Sequence, residues 1–273
     1  MVPARLLTGL AFAVVLAGCS SSPQSPAPVG TAPSSSDSSL APTETVEPDP
    51  GPRPKVGECH ALSWAQAVAP QTRVDPVRCR APHTAETFAV GRLDLDTGRL
   101  QVDSDRVQQR VQSACNERLP RHLGAAPRDV RLTMAQAVWF TPDVEQVEAG
   151  ARWFRCDVVV VASQRALRRL PLSTKGLAGA PGIAMCAGAE PGTKAFARVA
   201  CGSPHSWVAV STVDLPGARL PGPARVQTRM DPVCRDAARA RASDPLSFTW
   251  SQESPTREQW AAGQRYGICW APA

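Results

Sequence analysis

The chain has 273 residues, 43% of them hydrophobic and 20% charged, a globular balance that excludes a chain disordered throughout. Its formal net charge of +6 comes from 27 Arg and three Lys against 24 acidic residues, a modest bias toward anionic partners such as lipid headgroups or wall polymers. No stripe of Lys interleaved with aromatics marks a nucleic-acid surface, so nucleic acid is not expected as a partner.

The chain opens with one basic residue, Arg5, and the apolar run LLTGLAFAVVL, too short to cross a bilayer. The run ends at LAGC, Leu16 to Cys19. That resembles the lipobox of bacterial lipoproteins, in which a diacylglyceryl group joins the cysteine and cleavage falls just ahead of it. Residues 1–18 are therefore expected to be a signal peptide. Cys19 is the expected lipidation site, anchoring the mature chain to the extracytoplasmic face of the cell membrane; two or three acyl chains anchor stably where one does not. Residues 20–55 hold nine Ser and nine Pro in 36 positions and no aromatic. Such a tract buries too little apolar surface to offset chain entropy. With Cys19 it forms a predicted tether over 19–55, extended by its prolines to an upper reach of roughly 100 Å at about 3.1 Å per residue.

From residue 56 onward the elements come twice. Eight cysteines remain, in two quartets: Cys59, Cys79, Cys115, Cys156, then Cys186, Cys201, Cys234, Cys269. Their gaps run 20, 36, 41 against 15, 33, 35 residues, the pattern of a duplicated unit with loop changes. CRAPHTAETFAVGRLDL matches CGSPHSWVAVSTVDL, each a turn followed by an alternating strand. The third cysteine of each set lies on a predicted helix: Val107, Val111, Cys115 and Leu119 share one face, as do Met230, Cys234 and Ala238. Pro232 conflicts with a helix interior, and Asp231 as N-cap with Pro232 at the first helical position removes the conflict. Strand candidates VRLTMAQAVWF and LSFTWSQ follow. Then TPDVEQVEAGARWFRC matches SPTREQWAAGQRYGIC, keeping Pro142 and Gly150, or Pro255 and Gly263, before Arg and Cys.

The predicted fold is α+β: two tandem small disulfide-stapled units, 56–164 and 170–273, each a few-stranded antiparallel sheet with one packed helix. An even cysteine count in an exported small domain reads as a disulfide framework. Three pairings per unit remain open from the sequence. The expected one is first with second and third with fourth, each link contributing about 3 kcal/mol in the chain-entropy model.

VGECH at Val56 to His60, the Cys-x-x-Pro-His, the helical Cys and the Gly-x-Arg before a terminal Cys resemble the septum formation family of actinobacterial envelope proteins. The family's opening Gly-Asp-Cys is here Gly57-Glu58-Cys59, and its Pro-His segment commonly continues to a Glu, here Glu86. The second half departs from the pattern, with Ala184 and Met185 at the opening and Val208 in place of Glu86. The resemblance implies a link to cell division and no particular reaction. The Arg, Ala, Pro and Val bias fits a high-GC actinobacterial genome.

The repeated chemistry is Pro82–His83 and Pro204–His205. As zinc ligands, Cys79 and His83 could recruit His60, but Ala187 leaves the second half without that partner, so no metal and no cofactor is expected. Haem attachment and thioredoxin-like motifs need a cysteine where Pro82 and Pro204 stand. No serine has a nucleophile-elbow context, so no catalytic residue and no enzyme is expected. The Pro-His segments are read as scaffold, the ring bonding nearby carbonyls, with His205 the clearer case because it lacks an acid like Glu86; a surface contact is the other role. Arg152 and Arg265 could grip a carboxylate or phosphate, or else pair locally. Most of the seven Trp should be core, with one or two exposed ones able to form a sugar or peptide platform. QRALRRLP is a predicted solvated junction whose Arg165, Arg168 and Arg169 could meet anionic lipid. The function expected is a non-enzymatic binding or assembly module of the cell envelope, its partner an envelope or division protein or an anionic wall polymer. The alternative is a cell-wall-active hydrolase or a regulator of one.

Overall fold

The computed structural model describes residues 49–95 and 101–273; the signal peptide, Cys19 and the tether up to residue 48 lie outside the described residues. In the first half, β1 (Cys59–His60), β2 (Ala85–Arg92), β3 (Ala135–Phe140), β4 (Trp153–Ser163) and β5 (Ala166–Leu167) form an antiparallel sheet ordered β1-β2-β4-β3, with β5 on β4. Helices α1 (Trp64–Ala67), α2 (Asp105–Leu123), α3 (Pro127–Val130) and α4 (Val144–Glu148) accompany it. In the second half, β6 (Met185–Ala187), β7 (Arg198–Ala200), β8 (Trp207–Asp214), β9 (Ser251–Glu253) and β10 (Tyr266–Pro272) form a sheet ordered β7-β6-β8-β10-β9, with α5 (Pro223–Arg241) and α6 (Arg257–Ala261). The path β6-β8-β10-β9 repeats β1-β2-β4-β3 in strand order and direction.

Each long helix packs through a single stripe. Val107, Val111, Cys115, Leu119 and Leu123 are buried on α2, and Val226, Met230, Cys234 and Ala238 on α5. The i+4 spacing places them on one line. In each helix the central cysteine bonds to the main strand, Cys115 to Cys156 on β4 and Cys234 to Cys269 on β10. Closing loops of this length contributes about 3–4 kcal/mol per bond in the entropy model. The other two bonds, Cys59–Cys79 and Cys186–Cys201, tie each opening strand to its Pro-His segment.

The helix of the second half starts earlier than its sequence suggests. It begins at Pro223 behind Gly222 and carries Pro232 in its interior. An interior proline costs a helix about 3 kcal/mol. Here the ring is on the exposed side, while Val226 and Met230 before it and Cys234 and Ala238 after it hold the helix to the sheet.

The halves share one core. A single apolar cluster runs from Val111, Leu119 and Val160 to Ile183, Met185, Trp207 and Trp270. Backbone bonds stitch the boundary: Met134 N–H donates to Ile183 O at 2.7 Å and Met185 N–H to Leu132 O at 2.8 Å. Arg131 reaches across to Asp214 at 2.6 Å and lies over the Tyr266 ring. Among the described residues no helix is long and apolar enough to cross a membrane.

Candidate functional site

The two Pro-His corners share a local geometry. Pro82 and Pro204 set the turn, and the following imidazole folds back so that Nδ1 of His83 meets Ala81 O at 2.9 Å and Nδ1 of His205 meets Ser203 O at 2.8 Å. A carbonyl only accepts, so Nδ1 carries the proton in both rings. The surroundings differ. His83 is 2% exposed, and the segment after β5 crosses it, with Leu170 N–H donating to His83 O at 3.0 Å. His205 is exposed. The sequence reading makes His205 the clearer scaffold residue; burial reverses that order.

Glu86 belongs to the same covered corner. Its carboxylate accepts from the Thr174 N–H at 2.6 Å and the Thr174 hydroxyl at 2.7 Å. His122 on α2 meets the same hydroxyl at 2.8 Å, and burial holds the His122 ring below its usual range. Glu86 therefore fastens the interhalf segment to the first sheet and does not touch the His83 ring through any hydrogen bond. At the matching sheet position stands Val208.

The Gly-x-Arg motifs also resolve locally. Gly150 and Gly263 adopt φ of 102° and 98°, left-handed positions that favour glycine. Two residues on, Arg152 donates to Val147 O at 2.6 Å and Ala151 O at 2.7 Å. Arg265 donates to Trp260 O and stacks 4.2 Å over its ring. Cations over the last carbonyls of α4 and α6 suit the helix dipole. Both helices begin in the same way, on reciprocal capping boxes, Asp143 with Gln146 and Thr256 with Gln259. All seven Trp are buried or half-buried, so none stands out as a sugar platform. Arg168 turns inward to Gly182 O, while Arg165 and Arg169 are exposed.

Behind the Cys59–Cys79 bond lies a polar centre that the motif reading misses. His60 on β1, Thr87 on β2, and Arg155 and Asp157 on β4 are all buried. Arg155 and Asp157 form an ion pair at 3.3 Å, and the Thr87 hydroxyl donates to Asp157 at 2.7 Å. Arg155 donates to His60 Nε2 at 3.0 Å and sits 4.6 Å over the Phe140 ring. A guanidinium has only donors, so Nε2 offers a lone pair and His60 is neutral. Its pKa falls to about 4, through burial first and the Arg155 charge second. Burial pushes Asp157 up to about 6 against the pull of Arg155 and Thr87. The signal was in the sequence: WFRCDVVVVAS is an apolar run broken only at Arg155 and Asp157, two apart and hence on one face. Sheet register places Ala187, Ala209, Ile268 and Trp270 at the corresponding positions, so the second half replaces the whole set with apolar side chains.

The one grouping with metal-ligand spacing among the described residues is Cys186, Cys201 and His205, within 4.8 Å of one another. Both sulfurs are joined in a disulfide and neither is a thiolate, so the set as it stands does not fit a metal.

The family model for septum formation matches residues 56–269, across both halves, and the chain belongs to that family. No curated protein and no solved structure matches it.

Proposed function

We propose that this septum formation protein is a lipid-anchored, extracytoplasmic module of the cell envelope, acting in division by binding or assembly without catalysing a reaction. The family match over 56–269 carries the link to septation. Four disulfides suit an exported chain. The groups repeated in both halves support a scaffold: each Pro-His ring is bonded to a backbone carbonyl, and so is each Gly-x-Arg guanidinium. The LAGC cysteine and the Ser/Pro tract support a membrane anchor with reach. The partner is an envelope or division protein or an anionic wall polymer.

The test is a fluorescent fusion in the native cells, beside a deletion strain. The parent should concentrate at division septa, deletion should alter septation, and Cys19→Ser should release the protein from membranes or leave uncleaved precursor. An even membrane distribution with normal septa after deletion overturns the division role. Unchanged fractionation and maturation of Cys19→Ser overturns the anchor.

A further inference from the structure

The four disulfides fall into two classes. Cys115–Cys156 and Cys234–Cys269 have 0% exposure at every cysteine. Cys59–Cys79 and Cys186–Cys201 bury the first residue completely and leave the second half-buried. These two differ again. In the second half a ring nitrogen of exposed His205 lies within 4.8 Å of both sulfurs. Among the described residues Cys59, Cys79 and His83 do not gather so closely, and His83 is covered by the interhalf segment.

We infer that Cys186–Cys201 is a thiol-exchange site whose co-substrate is a dithiol. Cys201 is the sulfur an incoming thiolate can reach, because Cys186 is fully buried. Attack forms a mixed disulfide at Cys201 and breaks the Cys186–Cys201 bond, and Cys186 leaves. A thiolate expelled into an apolar site is costly, and a cationic or proton-bearing neighbour relieves that cost. His205 is placed for it. The ring nitrogen that lies within 4.8 Å of both sulfurs relays a proton to Cys186, and the ring regains one from solvent. The second thiol of the dithiol then attacks the mixed disulfide and releases Cys201, which is protonated from solvent. The protein gains two electrons and two protons as the dithiol loses them and closes its own disulfide. The reaction leaves two cysteines beside a histidine.

The experiment uses the full chain under native conditions, with folding monitored by circular dichroism. Limiting dithiothreitol is added, aliquots are quenched with iodoacetamide, and labelled peptides are mapped. Cys186 and Cys201 should label first, about tenfold ahead of Cys59 and Cys79, with Cys115, Cys156, Cys234 and Cys269 last. Because His205 is exposed, His205→Gln should fold normally and slow this opening about threefold for each unit by which loss of the imidazole raises the pKa of the leaving thiol, leaving Cys59–Cys79 unaffected. His83→Gln should leave the Cys186–Cys201 rate unchanged. Earlier opening of Cys59–Cys79, simultaneous opening of all four bonds, or a His205→Gln rate equal to the parent's overturns the inference.

Discussion

Asp157→Ala removes the carboxylate paired at 3.3 Å with a guanidinium that is almost closed off from water: the side chains are 0% and 7% exposed. Breaking a buried pair by deleting one partner costs about 3–5 kcal/mol, because the remaining charge stays desolvated. Arg155 keeps the His60 acceptor at 3.0 Å and the Phe140 ring at 4.6 Å. A ring contact of that kind offsets about 1 kcal/mol, which puts the expected loss near the low end, about 3 kcal/mol. Removing the pair together with its hydroxyl partner, as Arg155→Met with Asp157→Leu and Thr87→Ala, abolishes both desolvation terms. It should recover about 2 of those 3 kcal/mol, since apolar replacement of a buried ion pair is often neutral. The second half already has Ile268, Trp270 and Ala209 at these sites. The assay is guanidinium unfolding at pH 7 followed by tryptophan fluorescence, and the shared core predicts one transition. An Asp157→Ala loss below about 1 kcal/mol, or a triple variant weaker than Asp157→Ala, refutes the buried-pair reasoning.

His83→Ala should cost about 1–3 kcal/mol and His205→Ala less than about 0.5, both read as shifts of one melting transition, because only the first ring is buried. Thr174→Val keeps the side-chain volume but removes the hydroxyl from a buried carboxylate; it should cost about 1–2 kcal/mol and raise hydrogen exchange across residues 170–176. His60 and Asp157 should oppose each other in acid. With His60 lowered to about 4, the unfolded chain protonates first, so His60 makes stability fall as pH drops from about 6.5 to about 4. With Asp157 raised to about 6, the folded chain protonates first, so Asp157 makes stability rise as pH drops from about 6 toward the ordinary aspartate value of 3.8. Unfolding titrations should therefore show a steeper acid loss in Asp157→Asn than in the parent, and a shallower one in His60→Asn.

Local signals in this chain were legible and long-range ones were not. The apolar stripes around Cys115 and Cys234 place both helices because i+4 spacing depends only on helix geometry. The Pro-His turns are equally local. Pro232 misleads because its cost is local, while the stripe and the Cys234–Cys269 bond that outweigh it depend on the sheet. The unequal burial of His83 and His205 could not be read from two similar pentapeptides. It comes from Leu170 and Thr174, which lie far along the chain from the corner they cover.

The same contacts explain how the halves differ in chemistry while sharing a topology. Strand order, helix stripe and disulfide pairing are set by positions that remain apolar or cysteine in both. The positions facing away from the long helix are less constrained. There the first half holds a charged centre closed by the Cys59–Cys79 loop, and the second holds Ile268 and Trp270, with the Trp270 indole donating to Glu253 at 3.2 Å. Glu253 is in turn gripped by both the Nε and an Nη of Arg198 on β7. The second half thus keeps the Arg198–Glu253 pair half-buried at the sheet edge, where the desolvation penalty is smaller, and fills its centre with an aromatic. The buried centre of the first half should couple stability to proton uptake through His60 and Asp157. The second leaves its Pro-His corner open to solvent, and its opening disulfide within reach of a reagent.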